Sequence, residues 1–425
     1  MSATTTAVEL TTRLRPHQPS PSGAPGGGDA VLDASRLADS TVPDGGHGWV
    51  VVAGCAVVVW WAIGTTYSWG VMQEALVAGG LSTPAVLSFI GGLDAALISA
   101  LAVANSKFIR SVGTRRAGML GVALMGGQRG AERSEQNICF MIVTVIPAQY
   151  FSAKRGLANG LVFAGGGFGG AAISVSLDAL IQRLDVAWAY RILGLTTLAT
   201  GLPAAWLIKE RNRSVEAAPG FVEWSLFKSP TFTLIFLASA IGTFPLFVPP
   251  FFLPLYANQL GLSSSAGALI VAGFSLASAA GRILCGILCD RLGALNTLFL
   301  SMVLTALSML AIWPASTSLA PLALFVVVNG VANGGFFSTM PTVVGNVFGS
   351  ARVAVAMSMI VSGWAGGYLM GAPIAGYLLK AHGGAEGGLK AFRPAMFYAG
   401  SLAAGAAVLV AIVRLRMNRS LLGRL

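Results

Sequence analysis

Arg155-Gly-Leu-Ala-Asn-Gly-Leu-Val-Phe-Ala-Gly-Gly-Gly-Phe-Gly-Gly170 and Arg352-Val-Ala-Val-Ala-Met-Ser-Met-Ile-Val-Ser-Gly-Trp-Ala-Gly-Gly367 decide the reading of this chain. At one offset of 197 residues, Phe151 meets Phe348 and Arg155 meets Arg352. Gly166, Gly169 and Gly170 meet Gly363, Gly366 and Gly367. Each copy opens on a cation and runs on in apolar residues, over Gly156–Ile181 and Val353–Leu379. A bilayer core about 30 Å thick takes roughly 20 such residues as a helix. The Gly-x-x-x-Gly pairs Gly166/Gly170 and Gly363/Gly367 let a neighbouring backbone come close. The chain therefore reads as a duplicated set of membrane helices.

Outward from this pair, the composition agrees. Of 425 residues, 55% are hydrophobic and 10% charged, against about 25% charged in a soluble domain. The net charge of +11 comes from cations scattered between long apolar runs. That pattern is loop bias in a membrane protein and excludes a nucleic-acid surface. Cys55, Cys139, Cys285 and Cys289 all lie in apolar segments and make no zinc spacing. No phosphate loop, nucleophile elbow or metal-ligand motif occurs, so no enzyme and no cofactor are expected. Residues 1–42, rich in Ser, Thr, Pro and Gly, read as a disordered tail with no cleavable leader.

Ten full-length spans follow: Trp49–Met72, Ala85–Lys107, Gly156–Ile181, Trp188–Ile208, Thr231–Tyr256, Ala266–Cys289, Leu295–Pro314, Leu319–Val344, Val353–Leu379 and Pro394–Val413. Two shorter runs, Ala117–Gly127 and Ile138–Phe151, complete twelve as the third and fourth. With the N-terminus in the cytosol, nineteen Lys and Arg fall on the cytosolic side and seven on the other. Arg282 inside the eighth span accounts for the last of the 27. This is the positive-inside bias. The expected organisation is a cytosolic tail (1–42), a helical bundle (43–208), a cytosolic linker (209–230), a second bundle (231–413) and a cytosolic tail (414–425). The sequons at Asn212 and Asn418 then face the cytosol, unglycosylated.

The loop after the eighth span reads Gly286-Ile-Leu-Cys-Asp290-Arg291-Leu-Gly293. It matches the facilitator loop pattern Gly-x-x-x-Asp-Arg-x-Gly, in which the Asp can hold a charge latch. Its counterpart in the first half, Ser106-Lys-Phe-Ile-Arg110-Ser-Val-Gly113, keeps only the last Gly, so an asymmetric latch is expected. Gly293 to Arg352 is 59 residues and Gly113 to Arg155 is 42, a deficit of 17 in the first half. It falls on the third and fourth spans, where the polar stretch Gln128–Asn137 intrudes. A mis-joined exon, a natural deletion or a re-entrant pair would each produce it.

Two further segments carry a resemblance. Pro43-Asp44-Gly45-Gly46-His47-Gly48-Trp49 opens the first span, and Tyr150-Phe-Ser-Ala-Lys-Arg155 leads into the fifth. Both resemble signatures of the monocarboxylate-permease branch of the major facilitator superfamily, in its fungal form. The resemblance covers roughly Pro43 to Val413. It implies an all-helical fold of two six-helix bundles, and transport of a monocarboxylate or other small organic solute, often with protons, in the plasma membrane or an internal one.

Arg282 lies eight residues before Asp290, about 12 Å into the membrane by helical rise. A buried Arg faces a cavity or a partner and can clamp a carboxylate with two parallel bonds. Relatives carry a substrate-binding Arg at this place with an Asp one turn earlier, where this chain has Ser278. They also carry a Lys near the end of the first span, which Tyr67–Met72 lacks. Tyr67, Asn329 and Asn333 are the remaining candidate substrate residues. The two Asn could equally glue helices. Asp94, in the second span, is the candidate proton acceptor or counter-ion of Arg282; Asp178, near Arg183, is a weaker candidate. Asp290, Arg291, Gly166, Gly170, Gly363, Gly367 and Pro249 are candidates for gating. The glycine faces are either static packing or sliding contacts, and Pro245, Pro249, Pro250 and Pro254 free carbonyls in the seventh span, a hinge. Three functions compete: uptake of a small organic anion, metabolite export on the same fold, and a non-transporting sensor or inactive truncated paralogue. The partners implied are a small solute, protons and the lipid bilayer; the oligomeric state is open.

Overall fold

The structure is a computed structural model, and it describes residues 44–78, 80, 82–127, 136–184, 186–211, 223–349, 352–384 and 387–417. The tail, the sequons and most of the polar stretch, with Arg129, Glu132, Arg133 and Glu135, lie outside them. The described residues are helical throughout, without strands. The first half holds α1 (Gly48–Tyr67), α2 (Trp69–Ala78), α3 (Pro84–Ala100), α4 (Ala102–Val112), α5 (Thr114–Gly127), α6 (Gln136–Val145), α7 (Pro147–Tyr150), α8 (Arg155–Arg183) and α9 (Val186–Leu207). The second holds α10 (Pro230–Gly242), α11 (Val248–Gln259), α12 (Ser264–Leu292), α13 (Ala294–Leu307), α14 (Leu319–Phe348), α15 (Val353–Gly363), α16 (Ala365–Ala381) and α17 (Arg393–Met417).

Three spans expected to be continuous are interrupted, and so is the seventh, where the prolines mark a hinge. The first breaks at Ser68, the second at Leu101, the seventh between Gly242 and Val248, and the eleventh at Trp364. The seventh has the plainest cause. Pro249 and Pro250 lack the N–H that would bond the carbonyls four residues earlier, so the α-helical ladder cannot run through them. By length and composition, seven described helices can cross a bilayer, or eight if α3 and α4, bent by 40°, count as one. Twelve transits thus rest partly on shorter pieces. α5 has 14 residues, about 21 Å of rise, against a core of about 30 Å.

The duplication is visible in the backbone. Gly113 ends α4 at φ 92°, ψ 145°, and Gly293 ends α12 at φ 96°, ψ 147°. Both are positive-φ turns that glycine alone enters without strain. The glycines themselves are used differently: a Cβ on Gly366, the counterpart of Gly169, would meet nothing within 4 Å. Gly169 of α8 packs against α1 at Trp60, and Gly363 and Gly367 of α15 and α16 pack on Phe236 and Thr243 at the seventh span. The halves meet along two seams. On one, α8 crosses α12, with Gly156 and Gly286 each against the other's carbonyl. On the other, Gly92 of α3 meets the Tyr368 carbonyl of α16. Outside the seams the surface is apolar, with Leu195, Leu269, Leu307 and Val408 each more than half exposed. The molecule is a multi-pass membrane protein.

Candidate functional site

At the end carrying Gly113, Gly293 and most of the described cations, the basic end, the two signatures form one unit. Asp44 takes up φ 50°, which Asp tolerates better than most side chains. Its Oδ1 accepts the backbone N–H groups of Ser152, Ala153 and Lys154 at 2.8, 2.9 and 3.3 Å. Trp49 and Phe151 pack ring on ring at 4.6 Å. A Cβ on Gly48 would come to 3.0 Å from Phe151 and Tyr150, so any larger residue would have to push these side chains aside. The first signature therefore fixes how the chain enters α8.

Asp290 holds that same helix start from the other half. Its Oδ1 accepts Gly156 N–H at 2.9 Å and its Oδ2 accepts Leu157 N–H at 3.0 Å. A carboxylate at a helix N-terminus meets both unpaired amides and the positive end of the helix dipole. Arg291 takes no part: one residue on, its side chain is turned about 100° around the helix and is exposed. The Asp-Arg pair of the loop thus divides into a hydrogen-bonded contact between the halves and a solvent-facing cation. The duplicated arginines also differ. Arg155 is buried, its Nε donating to the Phe151 carbonyl at 3.3 Å. Arg352 lies 3.6 Å from Glu223.

The centre of the molecule holds the third cluster. Arg282 of α12 is 0% exposed. Its Nη2 donates to the Tyr67 hydroxyl at 2.8 Å, and its Nη1 donates to the Phe163 carbonyl of α8. The Tyr67 hydroxyl donates to Asn333 Oδ1 at 3.0 Å, and Asn333 Nδ2 donates to the Leu246 carbonyl at 2.9 Å. That carbonyl is free because its helical donor would be residue 250, a proline. Pro249, at the start of α11, is the other half of the same interruption. The chain of bonds runs from the second half to the first and back, between α12, α1, α14 and the break in the seventh span. Phe247, Phe274, Phe337 and Tyr368 surround it. Ser278 is buried beside Tyr67. Gly166 and Gly170 of α8 give this cluster its room: their missing Cβ atoms would fall on Arg282 Nη1 and on Ser275 Oγ and Tyr67.

No carboxylate among the described residues forms an ion pair with Arg282, and its Nε has no hydrogen-bond partner. Of the predicted substrate residues, Tyr67 and Asn333 join it and Asn329 does not. The Asn329 amide donates to Ser308 Oγ at 2.7 Å, at the π-helical end of the ninth span (Ser308–Ile312), where it ties helices together. Asp94 lies in α3, with its side chain outside the described set.

At the opposite end, sequence reasoning missed Glu74. Glu74 of α2, buried, accepts Ser264 O–H at 2.9 Å across the halves. Asp178 accepts Gln182 Nε2 at 2.9 and 3.0 Å and Ser265 O–H at 3.3 Å, and Arg183 is not its partner. A buried carboxylate two turns beyond Tyr67 on an otherwise apolar stretch was the available signal.

A model of the Major Facilitator Superfamily matches residues 136–271 and 250–421. Among curated proteins, the chain is similar to the aspyridones efflux protein of Emericella nidulans, at 30% identity over 56% of this chain and 48% of that one. It is similar to the agnestins efflux protein of Paecilomyces divaricatus, at 29% identity over 64% and 61% of the two chains. It is similar to an MFS transporter of Aspergillus flavus, at 25% identity over 84% and 86%. The chain thus spans about half to three fifths of the length of the first two. The crystal structure of the human organic anion transporter MFSD10 (TETRAN) matches with a TM-score of 0.66 at 14% identity, covering 86% of this chain and 100% of that one. That likeness is one of fold.

Proposed function

This chain belongs to the major facilitator superfamily, and from that premise we propose that it carries a small organic anion across the membrane by alternating access. The supporting observation is Arg282. A guanidinium withdrawn from water is costly unless an opposite charge or a full set of acceptors compensates it. Here the compensation is two neutral oxygens, and Nε has no partner. A carboxylate guest supplies the missing charge and can accept two parallel bonds from the fork. Replacing the Tyr67 hydroxyl with such a guest would also uncouple Arg282 from Asn333 and the seventh-span break. Binding would then act on the helices that must move.

Export is the direction we favour, because two of the relatives are named as efflux proteins. Monocarboxylate uptake with protons is the second reading. It is weakened by Ser278 in place of the Asp, and by the absence of a Lys near Tyr67. Asp94 remains the proposed proton acceptor in α3.

The test is transport of a panel of labelled organic acids and their methyl esters by the reconstituted full chain, in vesicles of both orientations, with and without a pH gradient. Arg282→Gln should cut transport of acids by roughly a hundredfold, the cost of truncating one partner of a buried charge pair. Arg282→Lys should recover little, because the planar fork is lost. Undiminished acid transport by a folded Arg282→Gln protein would make the residue structural.

A further inference from the structure

A second charged site lies at the basic end, on the outer flank of the first half. The junction of α4 and α5 and the residues after α9 enclose a recess of about 370 Å³, lined by Val112, Gly113, Thr114, Arg115, Arg116, Lys209 and Glu210. Three of the seven are cations. Arg115 is committed: its Nε donates to the Trp206 carbonyl at 2.8 Å, and its guanidinium lies 4.1 Å above the Trp206 ring. Glu210 is committed too, accepting Thr114 O–H at 3.1 Å. The side chains of Arg116 and Lys209 are exposed and have no partner among the described residues. Two free cations and one held cation therefore share a recess with a single carboxylate.

What lies next to the recess indicates its ligand. Arg116, Leu120 and Leu124 are four residues apart in α5, so they stack on one helix face. Leu120 and Leu124 are 42% and 41% exposed, and Trp206 is 54% exposed. Exposed leucines on a membrane helix face acyl chains, and an exposed Trp beside cations marks the headgroup level. One helix face thus presents a cation at its end and an apolar track below it, the pattern of a phospholipid. The charge bias read from the sequence puts this end in the cytosol, whose leaflet carries the anionic lipids.

We propose that this recess binds the phosphate headgroup of an anionic phospholipid, with Arg116 and Lys209 on the headgroup and an acyl chain along Leu120 and Leu124. The site is separate from the Arg282 cluster and stands whether or not an organic anion is the cargo. Its occupant would tie the end of α9 to the start of α5, the short third span.

The experiment uses the full chain, with lipid retention read by native mass spectrometry after exchange into phosphatidylcholine containing phosphatidylserine. Wild type should retain phosphatidylserine over phosphatidylcholine. Arg116→Gln with Lys209→Gln should weaken that retention by roughly thirtyfold, from about a fivefold contribution per cation. Glu210→Gln removes the repelling charge and should strengthen it. Equal retention by wild type and the double variant, or no gain in Glu210→Gln, would overturn the site. Full displacement of the lipid by inorganic phosphate alone would overturn the lipid assignment and make it a soluble-anion site.

Discussion

Tyr67 is the residue on which the central cluster turns. It is the last residue of α1, and its hydroxyl accepts from Arg282 while donating to Asn333. Tyr67→Phe keeps the ring and removes both bonds. It leaves a guanidinium N–H and an amide oxygen buried without partners, at about 1–3 kcal/mol for each. The melting temperature of the purified protein should fall. An organic anion that binds Arg282 should then raise it by more than in wild type, because the guest replaces the lost acceptor. An unchanged melting temperature would show that the bond chain contributes nothing to the fold. Arg282, Tyr67 and Asn333 were each legible as intramembrane polar groups. Their connection was not, because 215 residues separate the first two and no local pattern links them. Asn329 shows the limit of the same reasoning: one turn from Asn333, equally buried, it turns to Ser308 instead.

At the scale of the element, the seventh span shows how sequence chemistry becomes a contact. Proline at 250 frees the Leu246 carbonyl, and the Asn333 amide takes it. Pro250→Ala restores a backbone N–H four residues after Leu246. The helix can then compete for that carbonyl, and the segment between α10 and α11 should gain helical character. Hydrogen exchange across residues 243–251 should slow and transport should fall, if this break moves during the cycle. Unchanged exchange at these residues would show that the prolines do not govern the break. The prolines announced an interruption in the sequence; its length and the acceptor it exposes required the neighbouring α14. The broken first, second and eleventh spans had no such mark. The helices that meet at Leu101 are bent by 40°, and Gly48–Val77 and Val353–Ala381 still run as single spans past Ser68 and Trp364; an apolar run looks continuous through such interruptions.

For the whole molecule, the positive-inside count and the packing agree on an even number of crossings. Gly48, at the start of α1, packs on Tyr150 and Phe151 at the basic end. Arg414, near the end of α17, donates to Asn296, three residues after Gly293 at that same end. Tags fused at Met1 and Leu425 should therefore both be protected from protease added to intact cells. One tag cleaved and the other protected would exclude twelve transits.

The sequence by itself determined that the chain is a helical membrane protein built from a repeat. Span length, glycine spacing and the distribution of Lys and Arg are set by the thickness and dielectric of the bilayer, and they act locally or by count. It also marked the two signatures, but as separate strings. Only the tertiary structure decided that Asp44 and Asp290 converge on the start of α8, that Arg291 faces outward, and that Arg282 sits between the halves with no ion pair to a carboxylate among the described residues. Those outcomes depend on which helix faces meet across distant segments. The close approach of backbones at Gly156 and Gly286 is what brings them together.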